Sequence, residues 1–220
     1  MYISCLATDY DGTLAHDGVV DRATANAIIA FSRSGRRLLL VTGRELPDLV
    51  RVFPELDLFD HVVAENGALL FEPATKKESP LAPKPPGMLV ETLRRKGVTP
   101  LSVGRSIIAT WEPNEKLVLE VIHELGLELQ IVLNKGAVMV LPPGVNKASG
   151  LKAALADLGL SAHNVVSIGD AENDHERAIS KHKNYRVDMP LKQSSEWQTA
   201  PNRYSTPLGL DAYLWFLRRR

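Results

Sequence analysis

The sequence predicts an α/β protein: a doubly wound parallel sheet carrying a small inserted α+β unit. Three observations predict it. The strand-like runs are continuously apolar rather than alternating, which marks strands buried on both faces. A helix-like segment follows each run, as in βα units. Two proline-containing breaks, "EPATKKESPLAPKPPG" (72–87) and "LPPGVN" (141–146), bracket a stretch in which that βα rhythm is lost.

The elements follow in order. "YISCLATD" (2–9) reads as the first strand. "DRATANAIIAFSRSG" (21–35) reads as a helix with an Asp cap and a Gly stop. "RRLLLVTG" (36–43) is the second strand and "LPDLVRVFPEL" (46–56) one short helix or two. "HVVAENG" (61–67) is the third strand, and "ALLFE" after it is half of a hairpin. The stretch 72–87 reads as a linker. Beyond it come a helix over 86–96, a strand over 104–111, a helix over 113–126, and strands 128–134 and 137–141 turning near Asn134 to Gly136. Helix 146–159, strand 164–170 and helix 171–180 restore the βα pattern. The expected division is a discontinuous core of residues 1–75 and 143–220, with 76–142 as the insert.

The bulk composition is that of an ordinary globular protein, 45% hydrophobic and 24% charged over 220 residues. Formal net charge is zero, so no nucleic-acid partner is expected from global charge. Residues 1–174 hold 17 Lys/Arg against 22 Asp/Glu and residues 175–220 hold 9 against 4, so the basic excess sits in the tail, read as a solvated terminus. One cysteine, Cys5, excludes an internal disulfide and fits a reducing compartment. There is no secretory signal pattern and no run of ~18 apolar residues, so the cytoplasm is expected and a membrane partner is not. Oligomeric state is not legible.

Polar clusters fall at the carboxyl ends of the strands, where open α/β sheets bind ligands. "DYDGT" (9–13) follows the first strand, "TGR" (42–44) the second and "GDAEND" (169–174) the last, while Lys147 starts the helix entering that last unit. Convergence would gather Asp9, Asp11, Asp170 and Asp174, which cannot all stay ionised together without a cation. Oxygen-only ligands favour Mg²⁺, which binds one or two carboxylates and engages phosphate. Thr42 would add a hydroxyl and a backbone N–H, and Lys147 a positive charge for phosphate oxygens. The chemistry so assembled is Mg²⁺-assisted phosphoryl transfer to an aspartate nucleophile.

These four stretches, in this order, resemble the motifs of haloacid dehalogenase (HAD) superfamily phosphatases. The "DYDGT" and "GDAEND" pair, with an insert between the second and third motifs, resembles the Cof-type (type IIB cap) branch, across residues 1 to about 174. The resemblance implies a Rossmann-like core with an α+β cap domain over 76–142. It implies that Asp9 attacks phosphorus and forms an aspartyl-phosphate. Asp11 would protonate the leaving oxygen, then activate the hydrolytic water, and bind Mg²⁺ through its carbonyl. Asp170 and Asp174 would join Asp9 around the metal. Thr42, Gly43, Lys147 and Asn173 would hold the phosphoryl group, with Arg44 facing the substrate.

The implied activity is hydrolysis of a small phosphorylated metabolite, a sugar phosphate or a phosphoglycolate-like acid. Asp11 argues against a dehalogenase, which needs only the nucleophile. A phosphosugar mutase, and a non-catalytic module with a degenerate C-terminus, are the alternatives. The resemblance stops after Asp174, where the usual small apolar strand is missing and only "YRV" (185–187) reads as a strand. Either this branch ends differently, or the tail reflects an altered frame or truncation. Glu65, Asn66 and Gly67 are expected to border the cleft. Trp111 and Glu112 read as packing residues, and the six histidines show no metal spacing.

Overall fold

The computed structural model describes residues 4–169 and 186–188. The helix expected over 171–180, together with Asp170, Asn173 and Asp174, lies outside the described residues. The largest sheet has seven strands. In chain order its first four are β1 (Cys5–Thr8), β4 (Arg37–Val41), β5 (His61–Ala64) and β6 (Leu69–Glu72). They are joined by β7 (Lys77–Pro80), β12 (Val165–Gly169) and β13 (Arg186–Asp188), in the spatial order β13-β12-β1-β4-β5-β6-β7. The numbers β2 and β3 belong to a two-stranded ribbon, Ala15–His16 and Val19–Val20.

The four central strands β12, β1, β4 and β5 run parallel, and the outer strands pair antiparallel. Alternation within each apolar run splits it between two cores. Leu6, Leu38, Leu40 and Val62 meet Ile28, Phe31, Leu49 and Phe53 from α1 (Arg22–Ser32), α2 (Leu46–Val52) and the residue that ends α2. Cys5, Ala7, Leu39, Val41 and Val63 meet Ala154 and Leu155 of α5 (Lys147–Asp157) on the other face. The sheet is therefore covered on both sides, as continuous apolarity requires. Burial of Cys5 pushes its thiol from the ordinary 9.0 up to about 12, in keeping with a packing role.

Helix caps follow the sequence. Asp21 Oδ1 accepts from the backbone N–H of Thr24 at 2.7 Å, and this bond holds its carboxyl below the usual range. At α5, Asn146 Oδ1 accepts from Ser149 N–H at 2.9 Å while Ser149 Oγ accepts from Asn146 N–H at 3.0 Å, a reciprocal capping box.

The stretch 72–87 departs from its reading as a linker. Lys77–Pro80 pairs with β6 in register Leu69↔Pro80 to Glu72↔Lys77 and forms the edge of the large sheet. Its residues look like a linker because an edge strand with mostly exposed side chains needs no apolar alternation, and lysine and proline are tolerated there.

Between β7 and α5 lies a separate antiparallel sheet in the order β10-β11-β9-β8. Its strands are β8 (Ser102–Val103), β9 (Ile108–Trp111), β10 (Gln130–Asn134) and β11 (Ala137–Leu141). Helices α3 (Gly87–Arg95) and α4 (Glu115–Glu124) share a core with this sheet, built on Leu89, Leu93, Ile108, Val118, Ile122 and Val140. A second set, Ile107, Met139 and Leu141, packs against Ala68 of the large-sheet unit. No helix among the described residues is long and apolar enough to cross a membrane.

One tight joint ties β5 to α5. After β5 the chain makes a 3-10 turn over Glu65–Gly67, and Gly67 lies at φ +102° against the start of α5. A Cβ at Gly67 would stand 1.9 Å from the Asn146 carbonyl oxygen, so no side chain fits. Gly67→Ala is expected to cost roughly 2–4 kcal/mol through steric overlap and left-handed strain. Urea unfolding of the purified variant measures it, and a loss below ~0.5 kcal/mol would show that the joint yields.

Candidate active site

The parallel register brings the carboxyl ends of β1, β4, β5 and β12 to one edge, and the chain leaving each strand builds the site. Asp9 N–H donates to the Ile168 carbonyl at 2.9 Å, extending the β1–β12 pairing by one residue. Asp9 Oδ1 accepts from Tyr10 N–H at 2.7 Å, and Oδ2 faces Lys147 Nζ at 2.8 Å. Asp9 is thus oriented by its own turn and paired with a cation from α5. The pair is mostly sheltered, with side-chain exposures of 13% for Asp9 and 26% for Lys147. Gly169 runs directly alongside, since a Cβ there would lie 3.7 Å from Asp9 Cβ.

Asp11 and Asp9 do not share a strand face. The strand ends at Thr8, and the chain then turns, with Gly12, Leu14 and Ala15 bonded back within it. Asp11 is instead held by Arg44, whose Nε and Nη2 donate to Oδ2 and Oδ1, each at 2.8 Å. Arg44 Nη1 donates to Asp48 Oδ2 at 2.6 Å, and the guanidinium lies 5.3 Å from the Tyr10 ring centroid. The Asp11 bonds raise the arginine's already high pKa further, so its charge is permanent. Burial raises the Asp48 carboxyl, but hydrogen bonds from Arg51 and Arg44 outweigh it and leave a net lowering.

Arg44 was expected to face the substrate. It lines the cleft, yet its guanidinium is committed to two carboxylates. Thr42 departs further from expectation. It is fully buried, and its N–H donates to the Val63 carbonyl at 2.8 Å, continuing the β4–β5 ladder. Its hydroxyl oxygen accepts from Arg44 N–H at 3.1 Å, so the hydroxyl proton is the donor Thr42 keeps. Gly43 and Lys147 do line the cleft.

Asp9, Asp11, Gly43, Arg44 and Lys147 form the floor of one cleft, about 1760 Å³, roofed by the second sheet. The roof contributes Trp111, Asn134 and Met139. Trp111, read as a packing residue, is 54% exposed and faces this space. The β2–β3 ribbon borders the cleft too, with Tyr10 Oη donating to the Gly18 carbonyl at 3.1 Å. Sequence reading passed over that ribbon, although Asp17-Gly18 is a hairpin turn signal.

Among the described residues no three His, Cys, Asp or Glu side chains cluster as a metal site. The described share of the expected donor set is the Asp9 carboxylate and the Asp11 carbonyl. Both are oxygens, which suits a hard divalent cation. The neighbouring Gly169 immediately precedes Asp170 in the chain.

The fold and the site define an α/β enzyme whose cleft is centred on a lysine-paired carboxylate. The chain belongs to the haloacid dehalogenase-like hydrolases, whose family profile matches residues 6–101 and 89–176. It is similar to the phosphoglycolate phosphatase of Halorubrum lacusprofundi, 29% identical over 181 residues and covering 77% of each chain. The phosphoglycolate phosphatase of Haloarcula marismortui is 30% identical over 178 residues, again with 77% of each chain covered. Among solved structures, a haloacid dehalogenase-like hydrolase from Bacteroides thetaiotaomicron superposes with TM-score 0.65 at 19% identity, covering 79% of this chain and 84% of that one. A HAD subclass IIB sugar phosphatase gives TM-score 0.61 at 19% identity, covering 78% and 82%. These two likenesses concern the fold. With family and relatives together, the chain is an enzyme of the family's phosphatase type.

Proposed function

We propose that the protein is a Mg²⁺-dependent phosphomonoester hydrolase for a small phosphorylated acid or sugar, working through an aspartyl-phosphate on Asp9. The observation that carries this reading is the Asp9–Lys147 pair at the carboxyl end of β1, on the floor of a roofed cleft. Tyr10 N–H turns Asp9 Oδ1 and leaves Oδ2 on the lysine side, where an incoming phosphate oxygen can take over Lys147. Asp9 then attacks phosphorus, the ester oxygen leaves, and Asp11 supplies its proton. A water gives a proton to Asp11, attacks the acyl phosphate and frees inorganic phosphate and Asp9. Asp9, the Asp11 carbonyl, Asp170 and Asp174 would hold Mg²⁺, which supplies charge neutralisation at the phosphoryl oxygens. Asn173 would help orient that group.

In the same reading, Thr42 shapes the phosphate loop from beneath, Gly43 lets phosphate approach it, and the residues between β7 and α5 act as the cap. The names of the two archaeal relatives favour phosphoglycolate among small substrates. Purified protein with Mg²⁺ and a panel of phosphorylated metabolites plus p-nitrophenyl phosphate tests it by free-phosphate release. Turnover that EDTA stops and Mg²⁺ restores is expected. No release from any substrate above a no-enzyme control would sink the proposal.

A further inference from the structure

Glu65 was expected on the substrate side of the cleft, and the structure places it elsewhere. Asn66 lines the cleft, whereas Glu65 is fully buried beneath the roof sheet. Its two carboxylate oxygens accept from consecutive backbone N–H groups of the β8–β9 turn, Oε1 from Arg105 and Oε2 from Ser106, both at 2.8 Å. The turn fits only with glycine at 104, because a Cβ there would lie 2.7 Å from Glu65 Oε1. Burying a carboxylate is costly unless donors satisfy it, and here each oxygen has one.

The same turn is tied down on either side. Arg105 Nε donates to Glu78 Oε2 of β7 at 2.6 Å, Ser106 Oγ to the Ala82 carbonyl at 2.8 Å, and Ser102 Oγ to Glu45 Oε2 at 2.9 Å. Burial raises the Glu45 carboxyl, Ser102 partly offsets this, and the Glu65 and Asp48 charges add to the rise. On its core side, Glu65 N–H donates to the Arg44 carbonyl at 2.9 Å and Asn66 N–H to the Thr42 carbonyl at 3.0 Å. One residue therefore joins the roof to the loop that holds Arg44.

We propose that Glu65 is a positioning residue that sets the angle of the roof sheet over Asp9. Covalently, the roof hangs on two connections, 81–86 and 142–146, and two points of attachment leave rotation about the line between them. The carboxylate clasp, flanked by the Arg105–Glu78 and Ser102–Glu45 bonds and by the packing of Ile107 on Ala68, adds a buried third attachment that fixes that rotation. From Ile108 near the clasp, β9 reaches Trp111 at its far end, about 10 Å away at the usual strand rise. Turning at the clasp is thus amplified where Trp111 and Asn134 overhang the cleft. It would also shift Met139, whose Sδ lies 3.7 Å from where a Gly43 Cβ would stand. The angle matters because Asp9 and Lys147 line the floor of the cleft while Trp111, Asn134 and Met139 line its roof, so the gap between the two walls follows the roof's tilt. A small phosphate meets both walls only when the roof is held to the right descent.

The kinetic part of the test rests on the phosphatase reading; the exchange part does not. Glu65→Gln keeps the shape but turns an NH₂ toward one of the two N–H donors. Gly104→Ala presses on the same carboxylate from the roof. Hydrogen-exchange mass spectrometry should show roughly 10-fold or faster exchange over residues 102–108 in either variant, with β1 and β4 unchanged. For phosphoglycolate, kcat/KM should fall about 10–100-fold, whereas p-nitrophenyl phosphate, whose activated leaving group needs less positioning, should lose under ~3-fold. The double variant should be no worse than the poorer single one. Equal losses on both substrates would overturn the proposal, placing the effect at the Arg44 loop. Unchanged kinetics with faster exchange would overturn it as well, leaving Glu65 a stability residue only. If Glu65→Gln fails to fold, Gly104→Ala decides by the same readouts. Should the wild type release no phosphate from any substrate of the panel, the phosphatase reading fails, while unchanged exchange over 102–108 would be the separate failure of the clasp.

Discussion

Asp9→Asn is expected to abolish turnover, lowering kcat by roughly 10⁴-fold or more, as loss of a covalent nucleophile does. The amide oxygen can still accept from Tyr10 N–H, so the local turn is kept. What is lost is the anionic oxygen 2.8 Å from Lys147, the one that attacks in the proposed reaction. The ion pair is mostly sheltered, so removing its negative partner should cost folding more than loss of a surface pair would, about 1–3 kcal/mol. A fall in rate of that size in protein that still unfolds cooperatively above the assay temperature therefore separates chemistry from stability. Phosphate release by Asp9→Asn at anything near the wild-type rate would remove Asp9 from the nucleophile's role.

Asp11→Asn should behave differently because it strikes the second half of the reaction hardest. Loss of a general acid/base lowers kcat by about 10²–10⁴-fold. With p-nitrophenyl phosphate the leaving group needs little protonation, so nitrophenolate should appear in a burst of about one equivalent per active site. Intact-protein mass spectrometry should then find one phosphoryl group on the chain. With an alkyl phosphate both steps slow, and the burst should vanish. The structure adds a condition, since Arg44 holds both Asp11 oxygens in a two-pronged ion pair. In the proposed reaction, proton delivery would require Asp11 to exchange that partner for the ester oxygen, with Asp48 placed to keep Arg44 satisfied meanwhile. No burst and no phosphorylated protein would argue against the two-step scheme.

Much of the site was legible because strand order and strand ends are written in local pattern. Continuous apolar runs located β1, β4, β5 and β12, and the polar residues after them marked the cleft edge. Pairing partners were less legible. Arg44 looks like a substrate ligand in sequence, and only the turn after Asp9 brings Asp11 within its reach. Thr42 carries the same ambiguity: a threonine after a strand can face ligand or interior, and the β4–β5 ladder consumes its N–H. Lys77–Pro80 escaped because an exposed edge strand is specified by backbone pairing, which has no side-chain signature.

The sequence by itself determined the α/β class, the polar clusters at the strand ends, the Asp21 cap of α1, and the family. Each of these rests on short-range features: apolar periodicity, a capping side chain, a motif of a few residues. Only the tertiary structure decided that Glu65 is a clasp. Its partners are backbone amides 40 and 41 residues away, and every residue but proline carries such an amide. It likewise decided that Trp111 faces the cleft, because the roof's two faces are told apart by what packs on them. Two α-helices cover one face of that sheet, and the large-sheet unit lies below the other. Local sequence sets which groups are offered; long-range packing sets which of them meet.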